Sequence, residues 1–253
     1  MAKICAYPRT VPGKDTEQML LAAGAGLPRE ITEAARDAGM DTVTLPPFPM
    51  LPSPVATHAD LLIHPLGGVI YTFRDYFSIA EKEICLICRA SGAVTEFMTA
   101  VPGDRYPADV PLCAKRVGNS FIANPRTAAE LCRRAAMNGL ALIPVNQGYA
   151  ACSTALAGDG VITADAGITK AVRRAGIPVL EIRPGHIDLP GYDYGFIGGA
   201  CGFCAARGEV WFTGDPMTHP DGRAILEFIH ARGFVAVSPR KGRLFDCGGM
   251  FFF

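Results

Sequence analysis

The chain has 253 residues, 24 Lys plus Arg against 24 Asp plus Glu, 49% hydrophobic residues and 19% charged ones. That length and apolar content can enclose one sizeable core. Zero net charge with no Lys/Arg cluster leaves no electrostatic footprint for nucleic acid, and no run reaches the roughly 20 apolar residues of a membrane-spanning helix.

Residues 1–10 carry Lys3, Tyr7, Pro8 and Arg9 where a secretory leader needs a continuous apolar stretch, so secretion is not expected. Nine cysteines are an odd number at sub-scaffold density, which reads as reduced thiols in a cytoplasmic protein.

Along the chain, residues 28–39 read as a helix and 42–45 as a strand. Residues 46–54 hold five prolines and are expected to form a rigid surface connection. A strand at 61–65, a Gly67-Gly68 turn and a strand at 68–72 lead into a helix at 77–90. A second proline loop spans 102–111, followed by strands at 110–116 and 119–123, a helix at 128–138 and a strand at 140–144. The order recurs as strands 151–157 and 160–164, helix 167–175 and strand 177–182. It recurs again as strands 196–207 and 209–213, helix 221–232 and strand 234–238. Asn124, Asp165 and Asp215 follow the middle strands, where a side-chain oxygen caps a helix. Gly139, Gly176 and Gly233 stand where the helices stop, and Gly67-Gly68, Gly118, Gly158 and Gly208 sit in hairpin turns.

These are five hairpin–helix–strand units of roughly 45–50 residues each. No linker or low-complexity tract separates them, so residues 1–253 are expected to form a single domain. The leftover segment 245–253 has no helix after it and is expected to pair with the first unit, closing a ring and covering its edges. Burial of its Phe251-Phe-Phe253 end is favoured over exposure, because a closing strand is tied down by its neighbours.

This pattern resembles the pentein, or guanidine-modifying, fold: an α/β propeller of five ββαβ-type units around a central channel. Dimethylarginine dimethylaminohydrolases are the members closest in length; arginine deiminases, amidinotransferases and a ribosome anti-association factor are others. The resemblance places Asp60, in His58-Ala-Asp60-Leu-Leu-Ile-His64, on the family's substrate-binding aspartate, with Ala59 where the family has glutamate. Asp109, in Tyr106-Pro-Ala-Asp109-Val, matches a second acidic position whose accompanying glutamate is also replaced. Cys247, in Asp246-Cys247-Gly-Gly-Met, falls on the terminal catalytic cysteine, and Tyr149 stands at the position of the catalytic histidine.

For Cys247 two readings stand: a nucleophile toward an amidine or guanidine carbon, or a small buried apolar residue. The adjacent Gly248-Gly249 allow close backbone approach, which a ligand site and a tight corner use equally. His58 and Asp60 are i and i+2, so on a strand they would share a face as base and orienting carboxylate; a surface histidine with a turn aspartate is the alternative. His186-Ile-Asp188 resembles the His-x-Asp of deiminases and amidinotransferases but lies between prolines, as a loop or as a lid over the channel. Cys85-x-x-Cys88 reads as helical and Cys201-x-x-Cys204 as extended, where i and i+3 diverge, so core packing is preferred to a metal site. The glycine-rich residues 195–203 lack the strand-before, helix-after context of a nucleotide loop, and no cofactor is expected.

The resulting expectation is a cofactor-free hydrolase or transferase in which Asp60, Asp109, Tyr149 and His186 bind a small cationic guanidino or amidino ligand, and Cys247 and His58 act on it. The opposing one is a non-catalytic pentein that binds a protein partner or small ligand. A homodimer is compatible with both.

Overall fold

The computed structural model describes residues 19–253; the reading of residues 1–10 lies outside them. In chain order the first elements are β1 (Leu20–Gly24), α1 (Arg29–Asp37), β2 (Asp41–Leu45), α2 (Ala59–Leu62), β3 (Ile63–Leu66), β4 (Val69–Thr72), α3 (Arg74–Ser91) and β5 (Val94–Phe97). Next come β6 (Lys115–Val117), β7 (Ser120–Ala123), α4 (Ala129–Met137), β8 (Ala141–Pro144), β9 (Ala155–Ala157), β10 (Gly160–Thr163), α5 (Ala166–Arg174) and β11 (Val179–Glu181). The last are β12 (Cys201–Cys204), β13 (Glu209–Phe212), α6 (Gly222–His230), β14 (Val235–Val237) and β15 (Met250–Phe252).

The strands make five three-stranded sheets on one plan. In four of them an inner strand turns through a glycine hairpin into an antiparallel middle strand, as β3 does into β4, and a helix then leads to a parallel outer strand such as β5. The first sheet takes its inner strand from the other end of the chain: β15 runs antiparallel to β1, with Leu21 opposite Phe252 and Ala23 opposite Met250. That pairing gives the first sheet the plan of the other four and joins the last strand to the first unit, as the sequence predicts.

Burial falls from axis to rim. Every residue of β1 and β10 is buried, whereas the outer strands β8 and β14 are largely exposed. Strands covered on both faces read as continuous apolar runs, not as an alternation. The helices cover the sheets with one stripe each, such as Ile31 and Ala35 on α1 and Ile225 and Ile229 on α6. Gly139, Gly176 and Gly233 end α4, α5 and α6 at φ of 73°, 75° and 79°, the left-handed conformation that only glycine adopts without strain.

Several expectations are corrected. The inner strands are short: Lys115–Val117 replaces 110–116, and Cys201–Cys204 replaces 196–207. Their leading halves approach the axis as irregular backbone, apolar because they are buried from all sides. His58 and Asp60 are not on a strand, since His58 precedes the single helical turn Ala59–Leu62 and Asp60 lies within it. The 46–54 segment is not merely a surface connection, because Phe48 and Leu51 are in the core and Tyr76 donates from its hydroxyl to Pro46 O at 2.9 Å.

Of the proposed caps, Asp165 accepts from Ile168 N at 2.8 Å at the start of α5. Asn124 instead closes a turn onto Arg126 N, and Asp215 caps the 3₁₀ turn Pro216–Thr218 rather than α6. At the other end of the chain Met250 is buried while Phe251, Phe252 and Phe253 are half-buried. No helix among the described residues is long and apolar enough to cross a membrane.

Candidate functional site

The segment before β15 crosses the centre of the propeller. Gly199 O accepts from both Cys247 N at 3.0 Å and Gly249 N at 2.9 Å, and Gly248 O accepts from Asp60 N at 3.1 Å. Two glycines permit this convergence. Gly248 has φ +80°, and a Cβ there would sit 2.3 Å from His58 Cα; a Cβ at Gly199 would sit 1.8 Å from Asp246 Oδ1. Cys247 is thus brought beside His58 and Asp60, from which it is far in sequence, and all three are buried.

Sequence reasoning missed Asp246, the immediate neighbour of Cys247. Its carboxylate is 1% exposed and accepts from Phe196 N at 2.8 Å and Gly248 N at 3.0 Å, with His58 Nδ1 3.7 Å away. Burial raises the pKa of Asp246 and lowers that of His58, and at each it outweighs their mutual attraction. Cys152 was missed as well. Its thiol lies within 4.8 Å of an Asp60 carboxylate oxygen and 3.6 Å from Cys113 Sγ. The available signal was proximity in sequence, to Cys247 for one and to Tyr149 for the other.

Carboxylates and thiols crowd here, and among the described residues no Lys or Arg pairs with them. Burial, partly opposed by the neighbouring Cys152 thiol, pushes Asp60 up to about 7. It pushes Cys201 up to about 12 and Cys247 further, with Asp246 and Asp60 adding to the effect on Cys247. Lys115 acts on Asp60 and Cys201 only as a secondary influence. In the free protein these thiols are therefore neutral, and a bound cation would favour their ionised forms.

Asp60 also lines a cleft of about 180 Å³. The five inner strands all contribute to its wall, through His64, Lys115, Leu156, Cys201 and Met250, so the cleft is the mouth of the central channel.

Buried Asp109 and half-buried Tyr149 form a separate pair in which the Tyr149 hydroxyl donates to Asp109 Oδ2, while Asp109 Oδ1 has no partner among the described residues. Tyr106, Tyr149, Phe196 and Tyr194 continue from it as a chain of ring contacts. His186 lies apart from Cys247, its ring packed edge-on against His219, beside the Arg183–Asp221 ion pair. The two Cys-x-x-Cys pairs do not converge: Cys88 meets Thr95 Oγ1, and Cys204 meets the Met19 sulfur.

A ring of five ββαβ units with a channel at its axis defines a pentein, and comparison with solved structures agrees. The chain is similar to a dimethylarginine dimethylaminohydrolase solved as an adduct with 4-chloro-2-hydroxymethylpyridine, at 12% identity and TM-score 0.54, covering 92% of this chain and 99% of that one. It is also similar to the enzyme from Pseudomonas aeruginosa, a cysteine-to-serine variant complexed with citrulline, at 15% identity and TM-score 0.52, covering 87% and 92%. The chain belongs to a family described as a family of unknown function (DUF6873), which it matches over residues 24–251. No curated protein matches the sequence. At these identities the structural likeness establishes the fold, and the chemistry has to be argued from the residues.

Proposed function

We propose that this pentein is a cofactor-free hydrolase or transferase of a small guanidino or amidino compound, with Cys247 as its nucleophile. The observation that carries the reading is the burial of Cys247 beside Asp60, which lines the cleft, with no side-chain cation among the described residues in contact with either. A guanidinium or amidinium entering the cleft is the missing counter-charge, held at Asp60 by charge-assisted hydrogen bonds.

Its charge lowers the pKa of the Cys247 thiol, which gives up its proton and attacks the central carbon through Sγ. His58, packed through its backbone against Gly248 and backed by Asp246, is the group suited to take that proton and return it to the departing amine. Water then attacks the covalent thiouronium, and the Cys247 S–C bond breaks to restore the thiol; an acceptor amine in place of water makes the reaction a transfer.

A second reading, a non-catalytic pentein that binds a partner or ligand, is favoured by one observation. Tyr149 stands where the resemblance expects histidine, and its hydroxyl is committed to Asp109. Alkylation separates the two. The catalytic reading expects Cys247, identified by peptide mass spectrometry, to react with chloroacetamidine much faster than with iodoacetamide, and expects Asp60→Asn to abolish that preference. Slow labelling with equal rates for both reagents would establish a packed, inert cysteine and the binding reading.

A further inference from the structure

The cluster contains a set of donors that neither reading uses together. A ring nitrogen of His58, a carboxylate oxygen of Asp60 and the sulfur of Cys152 all lie within 4.8 Å of one another. All three residues are buried, at 2%, 5% and 2% exposure. Among the described residues Asp60 Oδ1 has no hydrogen-bond partner, an expensive condition for a buried carboxylate oxygen.

We propose that His58, Asp60 and Cys152 form a binding site for a borderline divalent transition-metal ion, of which Zn²⁺ is the representative, with a fourth position open to the channel. One nitrogen, one oxygen and one thiolate sulfur are a donor set that suits zinc and not the hard ions magnesium or calcium. Tetrahedral bonds of zinc length hold neighbouring donors about 3.5 Å apart, so side-chain adjustments of about 1 Å complete the site.

The surroundings fit as well. Asp246 Oδ1 stands 3.7 Å from His58 Nδ1, which has no hydrogen-bond partner among the described residues, so a small ring rotation on metal binding makes Asp246 the carboxylate that holds the imidazole from behind. Asp60 lines the cleft, which supplies both a way in and an exposed coordination position. Cys152 binds as thiolate, its proton passing to solvent as the metal arrives. The alternative structural role for these groups, a network closed on itself, leaves Asp60 Oδ1 unexplained.

The site shares His58 and Asp60 with the proposed chemistry but not Cys247, so a bound metal ion and a guanidino ligand exclude each other, while the metal site stands whether or not Cys247 is a nucleophile. The test is titration of the chelator-treated full chain with Co²⁺, read by absorption, followed by displacement with Zn²⁺. The expected result is one Co²⁺ per chain with a thiolate-to-cobalt charge-transfer band and the intense visible bands of tetrahedral cobalt. Cys247→Ser is expected to retain both features, and Cys152→Ser to lose the charge-transfer band. Asp246→Asn is expected to weaken binding about 10- to 100-fold.

Absence of a thiolate band in the wild type would overturn the proposal. So would a band that survives Cys152→Ser and vanishes in Cys247→Ser. Should Cys152→Ser fail to fold, X-ray absorption of the zinc-loaded wild type decides instead. A shell with one sulfur and the rest nitrogen or oxygen supports the site, and a shell with no sulfur or with two overturns it.

Discussion

His58 Nδ1 lies 3.7 Å from Asp246 Oδ1, with both side chains almost wholly enclosed, joining the helical turn before β3 to the segment that closes the ring. Asp246 also holds two backbone N–H groups, of Phe196 and Gly248, so its first role is to fix the crossing of the chain. Asp246→Ala strands both donors and is expected to cost about 2–5 kcal/mol. Asp246→Asn keeps one acceptor oxygen and is expected to cost distinctly less. Urea denaturation with an unchanged m-value measures both, and an alanine variant within about 0.5 kcal/mol of wild type would contradict this role.

His64 gives a pH dependence of definite sign. Its ring is buried and bonded through Nδ1 to Leu112 O at 3.2 Å, and burial, with a smaller contribution from Lys115, pushes its pKa down to about 4. In the unfolded chain the ring takes up its proton near pH 6.5, so between about 6.5 and about 4 the unfolded state binds more protons than the folded one. Stability therefore falls as pH falls through that window, by on the order of 3 kcal/mol in full. His64→Gln is expected to remove this part of the acid sensitivity. Parallel slopes of unfolding free energy against pH for the two proteins would show that His64 does not contribute.

Much of the architecture was legible because each unit repeats two local signals, a glycine ending the helix and a glycine in the hairpin, at Gly139 and Gly118 for instance, where positive φ demands that residue. The axial segments were not legible in the same way. Residues 110–114 and 196–200 are apolar like strands, but five chains converging on one axis leave no room for regular pairing there, and sequence periodicity has no means of recording that crowding. The same convergence explains the cluster around Cys247. Cys152 and His58 come from different units and meet through the closure of the ring, so no spacing between them announces it. The helical turn at Ala59–Leu62 is only four residues long, too short to show its own period, and the run Leu61-Leu62-Ile63 imitates a strand.

Gly248 combines a left-handed backbone with a clash against neighbouring backbone. With φ at +80° and a substituent position 2.3 Å from His58 Cα, any side chain must displace either its own backbone or that of His58. Gly248→Ala is expected to destabilise the fold by about 3 kcal/mol through overpacking and backbone strain. Gly39→Ala is the control, since it shares the positive φ, at 80°, but has open space around it. The difference between the two variants isolates the steric part. Equal losses would mean that the backbone near His58 gives way without cost.

Tyr149 and Asp109 make the last test. The phenol is the donor on which the enclosed Asp109 carboxylate depends, since its other oxygen meets nothing. Tyr149→Phe leaves that carboxylate without a partner and is expected to cost about 1–3 kcal/mol, and Asp109→Asn likewise weakens the pair. In the double variant part of the loss is shared, because the stranded charge is gone. A double-mutant cycle by thermal or urea denaturation should give a coupling of about 1 kcal/mol or more, whereas additivity within about 0.5 kcal/mol would mean the two residues do not support each other. The comparison also bears on the departure at this position. A tyrosine strongly coupled to Asp109 is held as a structural brace, and under the proposed catalytic reading proton transfer falls to His58 and Asp246.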